Sequence, residues 1–522
     1  MLFLLLLVTW FQACHPFVTR NYAGSNIRWT KTNTPPPART YSGLWTAINS
    51  VSSPTETVDA TNTDAADVGY LGAWIPVGSV SALRDVVPAQ IEIMGQKFVV
   101  WNNPNNEEEW SVLADVCPHR LAPLSQGRID PVSGCVECPY HGWQFDTSGA
   151  VTQIPQLDPQ TTLEASVKAN ENLNARNFPV HLAGDLIFTF LPSSLHGESF
   201  PSTLLPEEMY IGLSEQIAAG AKWYVRELPY SVDFLIENFM DPGHIPFAHH
   251  GLQGVREDGA PIPMNTVVSN FTHIEVGYKD QIKGVPREGI VSFQRPTYYH
   301  FRTTKENGVF ARILMIHTVP VAAGRSRVLF QSVLPKWIPI WLAHGASNRF
   351  LNTDTWLHDA ERVARAISHE PTDNIDLYQS ASQSDVGVKA FRKWWAKYGM
   401  ANAPPHSFGP STMEQLGPRT LSRPEQIDPW EYHTKHCSIC RKALTRFKKI
   451  ETGGLVVAIF SAAIMRRWPI LRGLLVAGGL GSHFMSKRIA TFIEGNPRMS
   501  GIDDRSAAHM GPDKNTKKDS KS

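Results

Sequence analysis

Two cysteine–histidine pairs constrain this chain more than any other feature. Cys117-Pro-His119 and Cys138-Pro-Tyr-His141 place one C-x-H and one C-x-x-H pair 18 residues apart, each offering one thiolate and one imidazole. One such pair says little. Two of them, bracketed by Pro and Gly, need short turns of a rigid scaffold to reach a common site. The surroundings supply that scaffold: between Tyr70 and Phe190 the β-rich runs Ile91–Ile93, Phe98–Trp101, Trp110–Val112 and Leu186–Phe190 are separated by Pro, Asn and Gly turn signals. A small all-β domain over residues 70–195 is expected.

On adjacent turns, the two pairs can give one iron two Cys thiolates and a second iron two His nitrogens, the ligand set of a Rieske [2Fe–2S] centre. Neutral imidazole in place of thiolate leaves such a cluster less negative and raises its potential. A structural zinc site is the competing reading, but zinc ligands usually run C-x2–4-C and H-x3–5-H, and here they interleave. Cys135 lies nearby without an obvious partner and reads as a small buried residue.

A second constellation follows in Glu237-Asn-Phe-Met-Asp241-Pro-Gly-His244-Ile-Pro246-Phe-Ala-His249-His250. Asp241 and His244 are three apart and would share a helical face. His249 is five beyond His244, about 140° round a helix, so it joins the same metal only if the backbone changes course, which Pro246 would allow. Two imidazoles plus a distant carboxylate would form the facial triad of a mononuclear non-haem Fe(II) site. Asp354 is the expected third ligand, on a helix over Asp354–Ser368 that would share a face with His358. Asp359 and Glu361 are alternates. Residues 204–421 mix helical patterns with strand-like runs at Ile274–Val276, Ala311–Val319 and Ser326–Val333, the pattern of an α+β domain.

With 49 Lys+Arg against 48 Asp+Glu in 522 residues, no global field draws the chain to nucleic acid. Six cysteines are too few for a secreted disulfide scaffold. Residues 1–55 read as a signal-like apolar start followed by a transit-like stretch with basic and no acidic residues, which resembles the two-part address of a complex plastid; a disordered N-terminal tail is the alternative. Near the other end, Thr452–Met465 and Gly473–Ser486 are uncharged stretches of 14 residues each, separated by Arg466, Arg467 and Arg472. They are expected to form a membrane-embedded or interfacial hairpin over 452–486, with a buried helical pair as the alternative, since about 20 apolar residues are usual for a spanning helix. A disordered polar tail is expected over 495–522. Cys437 and Cys440, in a basic segment over 430–450, suggest a thiol–disulfide switch favoured by Lys435, Arg441 and Lys442, half of a zinc site with His433 and His436, or an inert pair.

CPHRLAPLSQGRID, CPYHGWQFD and NFMDPGHIPFAHH resemble the motifs of Rieske-type non-haem iron oxygenases, and within them the plastid branch that includes pheophorbide a oxygenase, chlorophyllide a oxygenase and the Rieske component of the inner-envelope translocon. The resemblance covers roughly Tyr70 to Cys440. The His433–Cys440 run before paired apolar segments is similar to the pheophorbide a oxygenase and translocon members. The resemblance implies a helix-grip-type catalytic domain and a plastid envelope or thylakoid enzyme that uses ferredoxin electrons and O2 to oxygenate a chlorophyll-type tetrapyrrole, by ring opening of pheophorbide a. It also implies that Cys117 and Cys138 bind one cluster iron, His119 and His141 the other, and His244, His249 and Asp354 the mononuclear iron. In a homotrimer, Asp241 would bridge His141 of one subunit and His244 of the next. Thioredoxin would be a candidate partner for Cys437 and Cys440. Phe239 and Phe247 could line a flat pocket. The alternatives are a redox sensor or import accessory that turns over no pigment, and an oxygenase of another lipophilic plastid substrate.

Overall fold

In the N-terminal part, runs of β-branched and aromatic residues bury nearly every side chain of the strands Ala73–Ser79 and Leu186–Leu191, which pair antiparallel and are joined by Val180–Ala183. A second sheet orders Ala89–Ile93, Gln96–Asn103, Asn106–Ala114 and Asn177–Phe178. A third is made of the short strands Arg128–Ile129, Val136–Glu137, Gln144–Phe145 and Val151–Gln153, and the two Cys/His loops spring from its ends. The expected β-rich runs are therefore strands. The computed structural model describes residues 73–84, 88–191, 205–270, 272–282, 284–304, 310–332, 337–367, 377–399 and 413–495. The expected targeting region and the tail beyond Gly495 lie outside them.

The second part is built on a seven-stranded antiparallel sheet in the order Lys222–Leu228, Arg325–Ser332, Phe310–Ala322, Tyr298–Thr304, Val285–Gln294, His273–Ile282, Met264–Ser269. Helix α1 (Val232–Phe239) packs on it and buries Phe234, Leu235 and Ile236. Helices α2 (Ile340–Asn352), α3 (Leu357–Ile367) and α4 (Val386–Trp394) complete the α+β arrangement.

Buried charge fixes the position of α1. Asp233 accepts hydrogen bonds from Arg365 of α3 and Arg392 of α4, both at 2.8 Å, and Arg392 also holds Glu237. The two guanidinium groups outweigh the desolvation of Asp233 and hold its carboxyl below the usual range. Three helices are locked together just before the chain enters the segment carrying His244 and His249.

The two parts share one core within a single compact unit. The turn between Ile93 and Gln96, with Met94 and Gly95 both at positive φ, docks on the long strand of the large sheet: Met94 N–H donates to Pro320 O at 2.9 Å and Gly95 N–H to Val321 O at 2.7 Å.

The C-terminal apolar stretches lie in two long helices, α5 (Ser438–Ile464) and α6 (Pro469–Glu494), folded back on each other. Gly454 and Gly479 let the backbones touch: a Cβ on Gly454 would meet Gly479 O at 2.7 Å. No described helix is long and apolar enough to cross a membrane, so a spanning pair is not supported.

Candidate iron centres

The two Cys/His loops are built to one plan. Cys117 N–H donates to Ala122 O and Cys138 N–H to Trp143 O, each at 2.8 Å; Leu121 N–H returns to Cys117 O at 2.8 Å and Gly142 N–H to Cys138 O at 3.1 Å. The residue four beyond each cysteine has positive φ, Leu121 at 60° and Gly142 at 73°. Glycine adopts that conformation freely, whereas a leucine pays roughly 1–2 kcal/mol for it. Leu121 is 74% exposed, so no burial of its own side chain offsets that strain.

These loops bury Cys117 and Cys138 and bring His119 and His141 to a ring separation of 4.5 Å, with Trp143 stacked on His119 at 4.6 Å. Burial pushes the Cys117 thiol up to about 11, and the Cys138 sulfur beside it adds to the push. Burial and the neighbouring His141 and Arg120 hold His119 below its usual value, favouring the neutral imidazole. Its Nδ1 is buried without a hydrogen-bond partner. A metal cluster would answer the orphaned imidazole nitrogen and use the two buried cysteines, neither of which is in a disulfide. Among the described residues, two groups of metal-capable side chains converge within 4.8 Å, and these four residues are in neither. A single zinc would need all four donors at one point, whereas a two-iron cluster separates the thiolate pair from the imidazole pair. Cys135 is buried apart, its sulfur accepting the Thr152 hydroxyl at 3.5 Å.

One converging group is His244, His249 and Asp354. His244 Nε2 and His249 Nε2 are 3.2 Å apart, and His249 Nε2 is 3.4 Å from Asp354 Oδ2. The Thr353 hydroxyl donates to Phe350 O at 2.7 Å, which leaves its oxygen to accept the Nδ1–H of His249 at 2.8 Å. His244 Nδ1–H is taken by the carbonyl of Asp241. Both imidazoles are thus held with their Nε2 lone pairs facing a common point, the orientation that partners behind a metal site impose on histidine ligands. Phe350 stacks on His249 at 4.1 Å, and Asn238 Nδ2 donates to Asp354 Oδ2 at 3.2 Å. Asp354 Oδ1 is buried without a hydrogen-bond partner, which leaves an anionic oxygen able to bind a cation. The donor set fits Fe(II).

The route of the chain differs from the expected one. Helix α1 ends at Phe239, and Asp241 caps a 3-10 turn over Pro242–His244 by accepting Gly243 N–H at 2.8 Å. Pro246 does not break a helix; it sits in the first turn of a new one, Ile245–Ala248, where its missing N–H costs nothing. Asp354 precedes α3, in the turn after α2, so it shares no face with His358, which instead bonds Pro229 O and Leu421 N. Of the alternates, Asp359 faces Gln426 and Glu361 accepts Ser231 N–H, both away from the histidines. Phe239 lies on Tyr299, and Phe247 is half exposed. Thr353, Phe350 and Asn238 carried no sequence signal of their own.

The second converging group is His344, His433, Cys437 and Cys440, all buried. His436 is not in it. Cys437 is held well below the usual thiol range by Cys440 first, then by His433 and His344; Lys435, Arg441 and Lys442, expected to favour thiolate, are not among the causes.

Residues 73–169 match the Rieske [2Fe–2S] domain family. Pheophorbide a oxygenase, chloroplastic, of Oryza sativa subsp. japonica is 33% identical over 426 residues, 76% of this chain and 78% of the rice protein. Flavonoid 8-hydroxylase 2, chloroplastic, of Ocimum basilicum is 29% identical, covering 77% of this chain and 79% of that protein. Protochlorophyllide-dependent translocon component 52, chloroplastic, of Arabidopsis thaliana is 29% identical, covering 68% and 70%. All three are chloroplastic, which supports a plastid location. The chain belongs to the plastid pheophorbide a oxygenase-like family of Rieske non-haem iron oxygenases, oxidoreductases that pair a Rieske [2Fe–2S] cluster with a mononuclear iron.

Proposed function

We propose that this protein is a ferredoxin-dependent monooxygenase that inserts one oxygen atom of O2 into a chlorophyll-derived macrocycle, with ring opening of pheophorbide a as the reaction. One observation carries the reading: a two-histidine, one-carboxylate group with its donor atoms within 4.8 Å, in the same chain as the cluster loops. A redox sensor needs a cluster but no such group. The similarity to the rice enzyme supports the pigment as substrate.

Cys117 and Cys138 would hold one cluster iron and His119 and His141 the other; His244, His249 and Asp354 would hold the mononuclear iron. When bound, the cluster delivers single electrons and the mononuclear iron activates dioxygen. The chain's own residues supply the positioning. Thr353 and the Asp241 carbonyl fix the two imidazoles, Phe350 shields the His249 ring from water, and Asn238 holds the Asp354 carboxylate.

Exposed Leu121 and Tyr140 at the tips of the cluster loops support docking of the cluster end on a neighbouring copy in a homotrimer. There Asp241, whose carboxyl burial pushes up against the pull of His244, would link His141 of one subunit to His244 of the next. The hairpin would lie in the membrane interface without spanning it. Ile459, Phe460, Ile464, Trp468, Ile470 and Leu474 expose apolar surface around its tip, where Arg466 and Arg467 can meet lipid headgroups.

The basil relative favours a second reading, hydroxylation of a flat polyphenol. Incubation with reduced ferredoxin, O2 and a panel of pheophorbide a and flavones, with products read by mass spectrometry, separates them. Oxygenated pheophorbide supports the proposal; hydroxylated flavone alone replaces it; no product with any member of the panel favours the sensor.

A further inference from the structure

We infer that His344, His433, Cys437 and Cys440 form a third metal centre, a tetrahedral Cys2His2 site for zinc that fastens the C-terminal hairpin to the catalytic part. The four side chains are buried and their donor atoms lie within 4.8 Å of one another. The printed separations have the size a zinc ion sets. Zn–S of about 2.3 Å and Zn–N of about 2.0–2.1 Å at tetrahedral angles put sulfur and nitrogen roughly 3.6 Å apart. His433 Nε2 is 3.3 Å from Cys440 Sγ, and His344 Nδ1 is 3.4 Å from Cys440 Sγ and 3.6 Å from Cys437 Sγ.

His433 is oriented as a ligand. Its Nδ1–H donates to Val225 O at 2.6 Å, so Nε2 keeps its lone pair and turns it toward Cys440. Tyr224 stacks on the His433 ring at 4.8 Å and meets the edge of His344 at 5.2 Å, fixing both imidazoles from the sheet side. Two thiolates, two neutral imidazoles and one Zn2+ sum to zero charge, which suits a place where no other counter-ion is needed. Both cysteines are free thiols, and at 1% and 2% exposure neither is open to a protein reductase.

The position gives the ion a structural task. Cys437 and Cys440 stand at the start of α5, His433 follows the short helix Pro429–Tyr432, and His344 is on α2, after which the chain turns to present Thr353 and Asp354. Zinc would tie the base of the hairpin to the helix that leads into the mononuclear site. It is closed, with four protein ligands and no open position, as structural zinc sites are.

Metal analysis of the purified full-length chain tests this directly. The expected result is about one zinc per chain in addition to iron, absent from the Cys437→Ser/Cys440→Ser double variant and retained in His244→Ala. Because that double variant could fail to fold, X-ray absorption at the zinc edge of the unsubstituted protein gives a second reading, with two sulfur and two nitrogen neighbours expected. Any of three results overturns the site: a Cys437–Cys440 disulfide in peptide mass spectrometry with no zinc bound; zinc that stays in the double variant and leaves with His244→Ala; or iron and extra acid-labile sulfide in place of zinc.

Discussion

Thr353→Val is the sharpest test of how the mononuclear centre is held. Valine keeps the shape of threonine and removes the hydroxyl that accepts the Nδ1–H of His249 at 2.8 Å and donates to Phe350 O at 2.7 Å. His249 is 3% exposed, so water cannot replace the lost partner. The ring then carries a buried, unsatisfied N–H, or it shifts its proton to Nε2 and loses the lone pair that faces His244 and Asp354. An unsatisfied buried donor costs about 1–3 kcal/mol, and losing a partner behind a metal ligand typically lowers metal affinity about 10–100-fold. The two figures agree, since tenfold is about 1.4 kcal/mol. Competition with a colorimetric Fe(II) chelator reads the affinity, while the cluster's visible absorption reports separately that the Rieske end is intact. The expected outcome is iron bound about 10–100-fold more weakly at unchanged cluster absorbance, with Thr353→Ser close to the parent. Parental iron affinity in Thr353→Val would refute the positioning role.

His244→Ala or His249→Ala should abolish oxygenation and leave the cluster spectrum in place; loss of that spectrum would contradict two separate sites. Asp241→Asn should slow electron transfer between the centres with both metals bound, read as single-turnover cluster oxidation, and parental rates would remove its bridging role. Glu361, buried behind α1, is pushed up to about 7 by burial and then by Asp233. Its folded value exceeds the unfolded one near 4.5, so the folded state binds more protons between those two values and stability falls as pH rises across that window. Glu361→Gln should remove this fall, making the variant more stable than the parent at about pH 8 and not at about pH 4, as read by thermal melts; parallel stability–pH curves would contradict it.

Much of the candidate site is legible in the sequence because its signals are local. Cys117, His119, Cys138 and His141 sit in two short loops whose Pro and Gly residues announce the turns, and His244 and His249 lie in one run beside a proline. The path between them is less legible. The sequence pattern makes a helix breaker of Pro246, whereas the backbone has already turned at Asp241 and uses this proline to start a new helix turn. Likewise, an apolar period running through Asp354 suggests helix there, yet the site needs the carboxylate turned toward Asn238 and His249, and a turn before Leu357 delivers it. His344 gave no signal. It joins Cys437 and Cys440 only through the packing of α2 against the start of α5, and no local period encodes that contact. The hairpin's helices were legible from composition, but their crossing at Gly454 and Gly479 depends on which small residues face each other.

The central claim, that one chain couples a Rieske cluster to a mononuclear iron that oxygenates a chlorophyll-derived macrocycle, is tested most directly by a single turnover under 18O2. Protein with its cluster reduced by ferredoxin is loaded anaerobically with pheophorbide a, pulsed with labelled dioxygen and quenched, and the pigment is weighed by mass spectrometry. One labelled oxygen atom in the product, lost in His249→Ala, is the expected result. Unlabelled pigment recovered intact while the cluster stays reduced would contradict the account.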